Sequence, residues 1–133
     1  ADGDQAIRTF KLTRFEEIQL TERPCGIPAD FSLEDYFGNA WSMVAGGEPH
    51  HVVVRFRPDF AENAAETQWH PTQEAQWLDD ESVVMHFDVD GLDEIVWWIL
   101  SMGPGCQVLE PPALIDKLRV LGEEMLEQYP ADA

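Results

Sequence analysis

The residues best equipped for chemistry fall in two short runs. Ile7-Arg-Thr-Phe-Lys-Leu-Thr-Arg-Phe15 sets three cations, Arg8, Lys11 and Arg14, within seven positions, with apolar Phe10 and Leu12 between them. Guanidinium forks match phosphate oxygens two bonds at a time, and an aromatic such as Phe10 offers a face on which a base can stack. The chemistry open to this run is the binding of an anionic, nucleotide-like molecule; its competing role is ion pairing with Glu16, Glu17 or Glu22. The second run, Gln68-Trp-His-Pro-Thr-Gln73, gathers an indole, an imidazole and carboxamides. His70 and Gln73 could form a secondary polar site with Arg55. The commoner role of such a segment is structural, with the Trp in the core and the His closing a strand end. No carboxylate or nucleophile is fixed beside His70 in sequence, so a catalytic triad is unsupported.

Metal chemistry is weakly encoded. His50, His51, His70, His86 and a cysteine have no recognised ligand spacing, and no metal or other cofactor is expected. Asp88-Val-Asp90-Gly-Leu-Asp93-Glu94 superficially resembles a calcium loop, but Leu92 and Asp93 stand where an oxygen ligand and a glycine are needed. Negative charge at a helix start, with Asp90 as the cap, explains these residues better. Cys25 and Cys106 lie outside any C-x-x-C pattern. They are expected to be buried free thiols in a cytoplasmic protein.

Charge narrows the partners. A net charge of −18 argues against a grip on duplex DNA, whose affinity rests on phosphate neutralisation. No Lys or Arg lies between Arg57 and Lys117, while that interval carries 13 Asp and Glu. An anion-binding surface must therefore lie near the N-terminus or on the strand carrying Arg55 and Arg57. The remaining acidic surface serves solubility. The longest apolar run, Ile95 to Leu100, is far short of a membrane span, so no membrane partner is expected. No signal peptide opens the chain, which begins without an initiator Met and reads as a piece of a longer polypeptide.

The elements that must position these residues follow from periodicity. Ala1 to Gln5 is polar and expected to fray. Ile7–Leu12 alternates imperfectly and reads as a strand of a small barrel, followed by a second extended stretch from Phe15 to Glu22. Arg23-Pro-Cys-Gly-Ile-Pro28 is the candidate boundary. Ser32 followed by Asp35 signals a short helix up to Phe37, and Gly46-Gly47 marks a flexible approach to the next domain. His51–Phe56 is a strand with Val52, Val54 and Phe56 on one face. A helix opens after Pro58. Gln73–Leu78 and Ser82–Phe87 form a hairpin about Asp79-Asp-Glu81. A helix over Leu92–Met102 ends at Gly103, a strand covers Cys106–Leu109, and a last helix after Pro111-Pro112 carries Leu114, Leu118, Leu121 and Met125 in one stripe. The order β-α-β-β-α-β predicts a ferredoxin-like α+β sandwich with a trailing helix and both inner helices on one sheet face. The other face, presenting Val53 and Val84 beside Arg55 and His86, is left open or given to a partner.

Most of the chain, from about Ile7 to Tyr129, resembles the WYL family of bacterial transcription regulators. In that family a small Sm-like barrel ends in a strand similar to Arg8-Thr-Phe-x-Leu-x-Arg14. A linker helix similar to Phe31–Phe37 follows. The C-terminal extension, or WCX domain, then has a valine-rich strand and a Trp-His-Pro-x-Gln segment, matched at Trp69–Gln73. A hairpin, a helix resembling Trp98-Ile-Leu-Ser-Met-Gly103, and a strand running into Pro111 complete it. The Trp-Tyr-Leu motif, most of the barrel and any helix-turn-helix are absent here, and Thr13 stands where an Asp is usual. The resemblance implies three parts: residues 1–23 as terminal strands of a truncated barrel, 24–49 as a linker with a short helix, and 50–133 as the extension domain. It further implies a non-catalytic effector-sensing and oligomerisation region, working as a homodimer. In the intact protein Arg8, Phe10, Lys11 and Arg14 would bind a nucleotide-like or short single-stranded nucleic acid effector, and duplex DNA would be reached only through an absent N-terminal domain. A purely structural dimerisation module, or a small ferredoxin-like enzyme using His70 or His86 as a base, are the alternatives.

Overall fold

A valine-rich strand forms the centre of the structure because branched side chains suit a pleated surface buried on one side. The computed structural model describes residues 7–132, so Ala1–Gln5 lie outside it. Strand β1 (Pro49–Phe56) buries Val52, Val54 and Phe56 completely. It lies between β3 (Val83–Asp90) and β4 (Cys106–Glu110), and β2 (Glu74–Trp77) pairs with the outer side of β3. The strand order is β2-β3-β1-β4 and every neighbouring pair is antiparallel. The expected hairpin is present: the Leu78 N–H donates to Ser82 O at 2.9 Å, and Glu81 turns the chain with a φ of 66°.

Among the described residues four α-helices accompany the sheet in an α+β arrangement. They are α1 (Leu33–Phe37), α2 (Pro58–Ala65), α3 (Ile95–Ser101) and α4 (Pro112–Glu127). Proline opens both α2 and α4, where its missing N–H costs no helical bond. Ala61 and Ala64 of α2, Ile95, Val96 and Ile99 of α3, and Leu114 of α4 join one core with Val52, Val54, Phe56, Val83, Met85, Phe87, Val89 and Val108. The inner helices therefore cover the same sheet face. On the other face Val84 is half-buried, but Val53 is only 8% exposed, more covered than expected. It is flanked on both sides, its Cα partners on the two neighbouring strands being His86 and Glu110.

Helix α4 outruns the core. Leu114 is sealed and Leu118 and Leu121 pack partly against the core, but Leu126 and Tyr129 are 71% and 75% exposed. The apolar stripe continues after the surface it faces has ended.

Contacts divide the chain into residues 1–32 and residues 33–133. In the described part of the first unit the strand expected over Ile7–Leu12 does not form. The backbone at Lys11 is extended, but a 3-10 turn, Leu12–Arg14, follows at once, with the Arg14 N–H donating to Lys11 O at 3.0 Å. No stretch of residues 7–32 pairs as a ladder, Phe15–Glu22 included, and an extended segment without a partner strand has no ladder to stabilise it. The second unit starts at Leu33, so the segment before β1 belongs to the folded domain. No helix among the described residues is long and apolar enough to cross a membrane.

Candidate functional site

The Trp69–Gln73 loop is built to hold its surroundings together. Gln73 accepts the Trp69 N–H at 2.8 Å and donates to Thr67 O at 2.9 Å, closing the loop on itself. The Trp69 indole N–H reaches Ala64 O at the end of α2, 2.9 Å away. His70 is 3% exposed. Its Nε2 lies 3.1 Å from Ala40 O, and because a carbonyl only accepts, Nε2 carries the proton. Nδ1 is left to accept from Thr72, whose Oγ1 is 2.8 Å away. The Thr72 hydroxyl in turn accepts the Asp88 N–H of β3 at 2.9 Å. Both imidazole nitrogens are thereby committed, and the ring stacks on Trp41 at 5.5 Å with planes 2° apart.

The segment expected to be flexible is fastened by partners about fifty residues away. Ala40 bridges to Asp90, and the Asp90 carboxylate accepts the Asn39 N–H at 2.8 Å. Asp90 thus remains in β3 and does not cap α3, whose N-terminal flank is Glu94 with no side-chain capping bond. The Glu94 carboxylate instead accepts three consecutive backbone N–H groups, from Ser42 at 3.1 Å and from Met43 and Val44 at 2.9 Å. Burial works to raise the Glu94 carboxyl, but the three donors outweigh it and hold it below the usual carboxylate range. A depressed folded value gives stability that is present above the usual carboxylate range and is lost as pH falls through the folded value. Glu94→Gln is therefore expected to cost about 1–2 kcal/mol, a charged acceptor being replaced by a neutral one. It should also flatten the acid limb of stability against pH. Urea unfolding of both proteins across a pH series checks this, and identical acid limbs would reject Glu94 as the anchor.

The remaining sequence-predicted residues are dispersed. Arg55 does not join His70 and Gln73 in any hydrogen bond; its guanidinium is held by Asp80 and by Ser82 Oγ at 3.1 Å. The Ser82 hydroxyl and N–H, followed by Arg55, keep the exposed Asp80 carboxyl below its usual range. Arg57 pairs with Asp59 at 3.2 Å and lies over the Phe60 ring. Both arginines line one hollow of about 440 Å³ with Ser82, Cys106 and Gln107, each already beside a carboxylate. Burial pushes the Cys106 thiol up to about 12, so it stays protonated, and Cys25 is exposed rather than buried as expected. Both cysteines are free. In the N-terminal unit Arg8, Phe10, Lys11 and Arg14 are all exposed, Phe10 by 70%.

The family model of the WCX domain matches residues 48–126, from the start of β1 almost to the end of α4. The chain belongs to the WCX family. This is the C-terminal extension of WYL-type regulators, as the Trp-His-Pro-x-Gln and valine-rich segments imply. Comparison with curated proteins gives no match. Within the WCX domain the Trp69–Gln73 segment acts as a clamp between α2, β3 and the chain entering β1. The sequence named its residues without showing what they hold. Glu94 had no local signal, since its three donors lie 50–52 positions away.

Proposed function

We propose that this chain is the effector-sensing and oligomerisation region of a bacterial helix-turn-helix transcription regulator, cytoplasmic and without catalytic activity. The observation that carries the reading is the WCX match across residues 48–126. The β-α-β-β-α-β element order with strand order β2-β3-β1-β4 supports a ferredoxin-like description of that domain. Two features favour a non-catalytic role: His70 has both nitrogens engaged, and the Cys106 thiol is held protonated. Apolar Val120, Met125, Leu126 and Tyr129 exposed along and just beyond α4 favour self-association, whether in a sensing homodimer or in a purely structural one.

Sensing is assigned to Arg8, Lys11 and Arg14 with Phe10, as terminal elements of a WYL barrel completed in the intact protein. Three cations beside an exposed aromatic suit a nucleotide or a short single strand, while duplex DNA would be contacted by an N-terminal helix-turn-helix. In the intact regulator Arg8→Ala and Arg14→Ala are each expected to weaken binding of a short single-stranded oligonucleotide by about 1.5–3 kcal/mol, the range for a lost charge-assisted hydrogen bond. Fluorescence anisotropy titrations measure it. Isotherms identical to wild type in both variants would remove the site from these residues.

A further inference from the structure

On the sheet face opposite the core, four chemistry-bearing residues that the proposed function leaves unused stand at neighbouring strand positions. His51 lies on β1, His86 and Asp88 on β3, and Glu74 on the edge strand β2. The register pairs His51 with Asp88 and Val53 with His86, which makes the two imidazoles diagonal neighbours on one face. Glu74 is the Cα partner of His86 and shares that face. Asp88 Oδ1 is 2.7 Å from His51 Nδ1. A carboxylate only accepts, so Nδ1 carries a proton, and Nε2 is the nitrogen left to face a ligand. That Nε2 is 3.1 Å from His86 Nδ1.

We propose that His51 and His86 bind a divalent first-row transition ion of the Zn²⁺, Cu²⁺ or Ni²⁺ type, with Asp88 orienting His51 and Glu74 completing the protein donors. At metal–nitrogen distances of about 2.0–2.1 Å, nitrogens this far apart subtend about 100° at a shared ion, between octahedral and tetrahedral angles. A carboxylate on the far nitrogen of a ligating histidine is the usual outer-shell support; it fixes the tautomer and raises ligand basicity. Imidazole donors select these ions over Mg²⁺ and Ca²⁺. Access needs no opening of the fold, because the His51 and Asp88 side chains are 51% and 63% exposed. The −18 charge of the chain raises the local concentration of cations. Nearby Arg55 is compensated by Asp80. On binding, the proton bridging the two rings leaves His86 Nδ1 for Nε2 of the same ring, and the ion takes its place. No group of three His, Cys, Asp or Glu is preassembled for an ion among the described residues. Glu74 therefore joins by a change of rotamer, and the affinity is below that of a closed structural zinc site.

The test is calorimetric titration of the full chain with ZnCl₂ and with NiCl₂, paired with imidazole ¹⁵N NMR. One equivalent should bind with His51 and His86 resonances moving. His51→Ala and His86→Ala should each lower affinity at least tenfold, and Asp88→Asn about tenfold, the effect of losing an outer-shell partner. His50→Ala, on the opposite strand face, should change nothing. Circular dichroism of these surface variants confirms folding. Absence of binding, or affinity unchanged in the His51/His86 double alanine variant with Mg²⁺ competing equally, overturns the site and leaves diffuse attraction to an acidic surface.

Discussion

Trp98→Ala is expected to lower the stability of the domain by about 3–5 kcal/mol, the range for deleting a large aromatic from a packed site. Trp98 is the hub of the aromatic cluster. Its ring lies 4.9 Å from Trp41, 5.4 Å from Trp69, 5.5 Å from Phe87 and 6.0 Å from Phe56, joining α3 to β1, β3, the clamp loop and the chain before β1. No single replacement contact can substitute for four. Against a total stability of about 5–15 kcal/mol, such a loss takes much of the folded population. Trp98→Phe is expected to cost far less. The indole Nε1–H is buried without a hydrogen-bond partner, and an unsatisfied buried donor costs about 1–3 kcal/mol. Removing it offsets part of the lost packing. Guanidinium unfolding of the three proteins decides the matter, and equal losses in the Phe and Ala variants would overturn this account, because the smaller ring would then recover none of the indole's packing.

His70→Ala is expected to cost about 2–4 kcal/mol, combining a cavity with stranded partners. It removes the donor to Ala40 O and the acceptor for Thr72, and uncovers one face of Trp41. The loss should be regional as well as global. Amides of residues 39–44 should lose hydrogen-exchange protection more than those of β1 and β3, because that segment is fastened mainly through His70, Asp90 and Glu94. Uniform loss of protection over the whole domain would show that the clamp is not local. A ligand-binding histidine would behave differently, giving a variant that folds normally.

The local parts of this fold were readable in the residues. Val83, Met85 and Phe87 alternate into the core as written, Pro58 and Pro112 open helices, and Leu114 begins a buried stripe. What was hidden depends on partners far along the chain. Ile7–Leu12 has an alternating pattern, yet a strand is made by its neighbour and the pattern carries no neighbour. Asp90 looked like a helix cap because its true partner, the Asn39 N–H, is 51 positions away. Gly46-Gly47 suggested slack, but Gly47 lies where an added Cβ would meet the Gly91 backbone at 2.6 Å. Gly47 marks a close crossing of two chain segments. The four histidines formed no spacing motif, since only the β1–β3 register brings His51 to His86 and leaves His70 in the core.

The overrun of α4 gives that helix two thermodynamic halves. Its first two turns melt only with the core around Leu114, so their backbone opens at the global free energy. The last turns meet solvent on nearly every side, and there the helix–coil balance of an isolated peptide applies. That balance is marginal in water for so short a segment, and Gly122 weakens it by about 1 kcal/mol relative to alanine. The C-terminal turns of α4 therefore fray on their own timescale, and any surface that covers Met125, Leu126 and Tyr129 must first meet the entropy of holding them helical.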